Sequence, residues 1–152
     1  MRFSGIAAVL AGAAALAAAE PIDRSVAVVG SVPVTASEVE LQVRLEALFN
    51  ETEVDLSDAA REAALGRLIE QRLIETDMRL AGFRPSSDED VATANRELRA
   101  QRFAGRTFAE AVEAAGVGEA DAFDFLRRQI DFSRFVEFRF RAGLQADEDE
   151  LR

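Results

Sequence analysis

Apolar positions recur every three or four residues over most of this chain, and strict β-like patterning is confined to one short stretch. Residues 25–35, SVAVVGSVPVT, carry two Val-rich runs on either side of Gly30-Ser31. That pattern predicts a hairpin with a two-residue turn, in which glycine supplies the positive φ. Pro33 has no N–H to donate, so the second strand belongs at an edge. A lone hairpin is marginal in water and has to pack on helices. After it the period changes. Ser37 with Glu40 predicts a capping box, and Val39, Val43, Leu45, Leu48 and Phe49 give a helix to about Asn50 one apolar face. Residues 51–55 are polar and read as a connection. Ser57 caps a second helix that runs to about Ala81, with Gly82 as its stop and Leu65, Leu68, Ile69, Leu73 and Leu80 as its apolar stripe. Pro85 follows. Ser86 with Glu89 predicts another capping box, opening a more polar helix through Val91 and Leu98 to about Phe103. Thr107 with Glu110 opens a short helix that stops at Gly116.

The last predicted helix covers residues 118–143, GEADAFDFLRRQIDFSRFVEFRFRAG, and holds six of the chain's eleven Phe residues. Acids stand at its start (Glu119, Asp121) and Arg139 and Arg141 at its end, an order that suits the helix macrodipole. At about 100° per residue, Phe123, Leu126 and Ile130 share one face. Phe125, Phe132, Phe135 and Val136 fall nearly opposite, with Phe138 and Phe140 between the two. A helix apolar nearly all round is either wrapped by other elements or leaves a face for a partner. The plain expectation is a central core helix. The functional alternative places Phe132, Phe135, Val136, Phe138 and Phe140 on a surface that binds apolar polypeptide, rimmed by Arg128, Arg134, Arg139 and Arg141. The fold class expected is mainly α: about five helices with a small N-terminal β-hairpin, in one domain over residues 22–144. An acidic tail, residues 145–152, is expected to be disordered. Short helix–helix connections make neighbouring helices adjacent and roughly antiparallel.

Composition narrows the chemistry more than it names it. The 152 residues contain no Cys, His, Lys, Trp or Tyr, and all eighteen basic residues are Arg. Disulfides, thiolate nucleophiles, imidazole bases, Schiff bases and a Walker-type phosphate loop are excluded. Adjacent acids such as Asp88/Glu89 or Asp147/Glu148 do not face each other on a helix. The acids at 88–90 fit a first helical turn favoured by the macrodipole. The run 147–150 lacks the Gly and the ligand spacing of a calcium loop. No catalytic residue, cofactor or metal is therefore expected, and an enzyme is disfavoured. The formal charge of −10 argues against nucleic acid and against adhesion to anionic lipid.

Residues 1–19, MRFSGIAAVLAGAAALAAA, read as a secretory signal peptide. Arg2 is the positive n-region, residues 6–16 the apolar h-region, and Ala17-Ala18-Ala19 the small-residue cleavage site. An uncleaved anchor is the alternative. Cleavage after Ala19 would leave 133 residues, and losing Arg2 but no acid would take the charge from −10 to −11. The mature protein would then work in the periplasm without ATP and without stable membrane insertion.

Residues 22–40, IDRSVAVVGSVPVTASEVE, resemble the opening of the N-terminal domain of SurA-like periplasmic chaperones, in the parvulin-type peptidyl-prolyl isomerase family. Val26-Ala27-Val28-Val29, Gly30-Ser31, Val34-Thr35 and Ser37-Glu38-Val39 stand where that family reads VAxVNGxxIT and SEVE. Gly30-Ser31 replaces its Asn-Gly turn. Residues 65–90 resemble its LIxxxLLxxxAxxxGixvsdeev segment through Leu68-Ile69, Leu73-Ile74, Ala81-Gly82 and Ser86-Ser87-Asp88. The Phe-rich helix is similar to the family's long helix that leads towards the isomerase domain. The chain departs from the family in carrying no parvulin segment and no returning C-terminal helix, so prolyl isomerisation is not carried over. The resemblance implies ATP-independent binding of unfolded, aromatic-rich polypeptides, typically outer-membrane protein precursors. The alternative is a non-catalytic subunit that docks a partner protein or forms a homodimer through the Phe-rich helix.

Overall fold

The structure, a computed structural model, describes residues 23–101 and 103–150, with side chains as far as Phe140. The signal-peptide stretch lies outside the described residues. The architecture is mainly α, five helices with a two-stranded antiparallel sheet at the N-terminal end.

Strands β1 (Ser25–Val29) and β2 (Val32–Thr35) pair with Val29 opposite Val32 and Ala27 opposite Val34. Gly30 takes φ +63° in the connecting turn, as the two-residue loop requires. Side chains alternate across the ribbon: Val34 is buried with Ala27 and Val29 packed beside it, while Val28 on the other face is exposed.

Helix α1 (Ala36–Phe49) begins without a linker, so its cap is the last residue of β2. Thr35 accepts from the Glu38 N–H, and the Glu38 carboxylate accepts from the Thr35 N–H at 2.9 Å. This corrects the Ser37/Glu40 box: Ser37 donates instead to the Asp23 carboxylate, and Glu40 pairs with Arg61 at 2.9 Å. Thr35 already has the extended backbone that a cap needs, whereas Ser37 lies inside the first helical turn. Helix α2 (Asp58–Leu80) starts at the expected Ser57 cap. Helix α3 (Asp88–Ala100) is capped by Ser87 with Asp90, one residue later than expected, because Ser86 is buried and bonded elsewhere. It stops at Ala100, short of Phe103, which pairs with Arg106 across a tight turn with positive φ at Ala104 and Gly105. Helix α4 (Phe108–Ala115) has the expected Thr107/Glu110 box and Gly116 at φ +67° after it.

Helix α5 spans Glu119–Glu150. It passes through the stretch expected as a disordered acidic tail, which is helical up to Glu150. Between Gly143 and that point the sequence holds no Pro or Gly, and one internal Gly costs only about 1 kcal/mol.

The core divides into two clusters, and α1 supplies both. Val39 and Val43 meet Val34, Ala64 and Leu68 from the hairpin and α2. Leu45 and Leu48 meet Leu98, Phe103, Phe108, Val112 and Phe125. Each fully buried side chain of this size contributes about 2 kcal/mol. Helix α1, not the Phe-rich helix, is thus the element that the rest packs around. The first half of α5 is core, with Ala122 and Phe125 buried and Phe123 stacked on Phe108 at 5.5 Å. Beyond Phe135 the side chains of α5 are exposed as far as Phe140.

Candidate functional site

Where α5 leaves the core it runs past the C-terminal end of α2 and the loop that follows. That loop is held by a Schellman turn: the Gly82 N–H donates to the Arg79 carbonyl at 3.2 Å and the Phe83 N–H to the Met78 carbonyl at 3.0 Å. Gly82 takes φ +63° there. The turn swings Phe83 back towards α5, where its ring lies 5.4 Å from Phe135 and 5.8 Å from Phe138. Phe135 and Phe138 stack at 6.3 Å, and the Arg139 guanidinium sits 5.5 Å over the Phe135 ring.

A second tie fixes the same loop. Asp131, buried on α5, accepts from the Ser86 N–H at 2.7 Å and from its hydroxyl at 2.6 Å. Two ion pairs tie the start of α3 to α5: Arg127 with Asp88 at 3.2 Å and Arg134 with Asp90 at 2.9 Å. Asp90 is held below the usual carboxylate range, chiefly by the Ser87 hydroxyl and then by Arg134.

Beside this aromatic group lies an open cavity of about 420 Å³. Its apolar wall is Met78, Phe83, Pro85 and Phe132. Glu75, Arg79, Arg128 and Asp131 stand around it. Further along, α5 and the end of α2 leave apolar side chains in solvent: Leu80 is 79% exposed, Phe140 70%, Val136 51% and Phe138 45%. The cavity, with the exposed apolar side chains that follow it along α5, is the candidate site. Its chemistry is that of a binding surface for apolar side chains.

The five residues singled out from the sequence separate into three kinds. Phe132 lines the cavity. Phe135 is buried beneath Phe83 and supports the surface without forming part of it. Val136, Phe138 and Phe140 are exposed. Of the Arg residues expected at the rim, Arg128 is at the cavity, Arg134 is engaged by Asp90 and Arg139 lies on Phe135. The side chain of Arg141 is outside the described residues. Leu73 and Leu80, placed on the core stripe of α2, are exposed instead, because they lie well round the helix from its buried residues Ala64, Leu68 and Met78.

Sequence reasoning missed Phe83, Met78 and Asp131. A signal for the first two was present: an apolar residue two places after a helix C-cap, behind a Gly, meets the residue at the third-last helical position. Asp131 carried no such signal, since its partner is 45 residues away.

Among the described residues, no group of three or more carboxylates forms a metal-binding cluster, and no helix is long and apolar enough to cross a membrane. No family model, no curated protein and no solved structure matches this chain.

Proposed function

We propose that this protein is an ATP-independent chaperone-like module of the periplasm that binds non-native, aromatic-rich polypeptides such as outer-membrane protein precursors. The observation that carries the proposal is the cavity walled by Phe83 and Phe132 together with the exposed apolar side chains Val136, Phe138 and Phe140 further along α5 and Leu80 at the end of α2. Val136, Phe138, Phe140 and Leu80 each stand more than two-fifths in solvent. Exposed apolar surface of this kind marks interaction sites. The SurA-like layout of residues 22–40 and 65–90 supports the class of client, and the leader-like residues 1–19 support export. No reaction is ascribed to the module.

The test is light scattering from a urea-unfolded outer-membrane-type protein diluted into buffer with and without the purified module. Suppressed aggregation is expected at stoichiometric excess, together with loss of suppression in the double variant Phe138→Ser/Phe140→Ser, whose side chains are 45% and 70% exposed and whose folding circular dichroism checks. Unchanged aggregation with the wild-type protein would sink the proposal.

The same surface favours one alternative, a subunit that buries it against a partner chain or a second copy. Solution mass separates the two: a stable dimer that dissociates in the Phe138/Phe140 double variant would favour docking over client holding.

A further inference from the structure

Two guanidiniums at the cavity have no carboxylate partner among the described residues, although the chain as a whole is strongly acidic. Arg128 stands at the cavity with no hydrogen-bond or carboxylate partner among the described residues, and Arg79 donates only to the Thr76 hydroxyl, at 3.3 Å. Arg84, next to Phe83 in the chain, is exposed and likewise lacks a carboxylate partner among the described residues. Two acids also line the cavity. Glu75 shares Arg72 with Glu38, and Asp131 takes both Ser86 donors on one oxygen. Elsewhere along α2 the arginines are matched: Arg61 with Glu40, Arg67 with Glu46, Arg72 with Glu38. An apolar wall beside two unmatched guanidiniums is complementary to an apolar side chain with a carboxylate next to it.

We propose that this cavity selects segments of unfolded polypeptide in which an aromatic residue is flanked by Asp or Glu within the chain. The aromatic ring enters against Met78, Phe83 and Phe132. The neighbouring carboxylate takes charge-assisted hydrogen bonds from Arg128 and Arg79, which a planar guanidinium donates well. This deepens the chaperone-like reading and rests on it. It adds a selectivity that the apolar surface alone would not have, because a chain with a formal charge of −10 would otherwise repel acidic segments.

The test is fluorescence anisotropy with short labelled peptides that share a Phe-x-Phe centre and an amidated end, flanked by Asp, Asn or Lys. The Asp-flanked peptide is expected to bind roughly three- to tenfold tighter than the Asn-flanked one at low salt, with the Lys-flanked one weakest. Arg128→Gln and Arg79→Gln are expected to bring the Asp-to-Asn affinity ratio towards one, with circular dichroism confirming that each variant is folded. Equal binding of the Asp- and Asn-flanked peptides overturns this inference while leaving the chaperone-like proposal standing. A preference for a free α-carboxylate on the Asn-flanked peptide, without one for internal Asp, also overturns it, since the occupant would then be a chain end. If no aromatic peptide of any charge binds, both the inference and the proposed function fall.

Discussion

Replacing Asp131 by Ala tests how the candidate site is held together. The Asp131 carboxylate receives two donors from one residue, the Ser86 N–H at 2.7 Å and its hydroxyl at 2.6 Å, and both residues are buried. Ser86 ends the short loop that carries Phe83, and Asp131 directly precedes Phe132, so this bond pins both walls of the cavity. Truncation removes two bonds to a charged acceptor, worth about 1.5–3 kcal/mol each when intact. It also leaves a buried backbone N–H without a partner, at a cost of about 1–3 kcal/mol. Water entering the gap recovers part of this, so a net loss of about 3 kcal/mol is expected for Asp131→Ala. For a domain of this size that corresponds to a fall in Tm of about 10 °C. Ser86→Ala removes only the hydroxyl and should cost about 1 kcal/mol. Asp131→Asn keeps an acceptor oxygen and should fall between the two. The assay is urea unfolding followed by circular dichroism, with the double variant Asp131→Ala/Ser86→Ala completing a cycle. The two single changes should be clearly non-additive, because they share one partner. A loss below about 0.5 kcal/mol for Asp131→Ala, the range of ordinary surface substitutions, would refute the argument.

Two further outcomes follow from the fold. Gly116 sits at φ +67°, and a Cβ there would lie 2.9 Å from Nη1 of Arg44, the atom that donates to the Ala115 carbonyl at 3.1 Å. Gly116→Ala should therefore cost about 1–2 kcal/mol in urea unfolding, and a midpoint equal to wild type would contradict the backbone argument. Asp90 is held below its ordinary value of 3.8, first by Ser87 and then by Arg134. A lowered folded pKa gives stabilisation that is present above 3.8 and is lost as pH falls through the folded value. Asp90→Asn should thus flatten the decline in urea midpoint between about pH 5 and about pH 2, and an unchanged slope would show that the capping box and the Arg134 link contribute nothing.

Much of the secondary structure was legible because its causes are local. The Gly30-Ser31 turn, the Ser57 and Thr107 caps and the Gly82 and Gly116 stops all stand where residue type and spacing place them. Two caps were misplaced, each for a reason outside the local pattern. Thr35 replaces Ser37 because the hairpin runs straight into α1, and Ser87 replaces Ser86 because Ser86 is drawn to Asp131.

The sequence by itself determined the helical class, the hairpin, the absence of thiol, imidazole and amine chemistry, and the concentration of Phe in the last helix. Hydrophobic period and capping act within a few residues, so they can be read along the chain. Only the tertiary structure decided that α1 is the central helix, that Phe135 is buried while Phe138 and Phe140 stand in solvent, and that Phe83 and Arg128 meet at one cavity. A periodic apolar pattern says which residues share a face but not what covers it. That depends on which elements meet in space, as where Phe83 reaches α5, and on a hydrogen bond between residues 45 positions apart, neither of which is encoded at a fixed spacing.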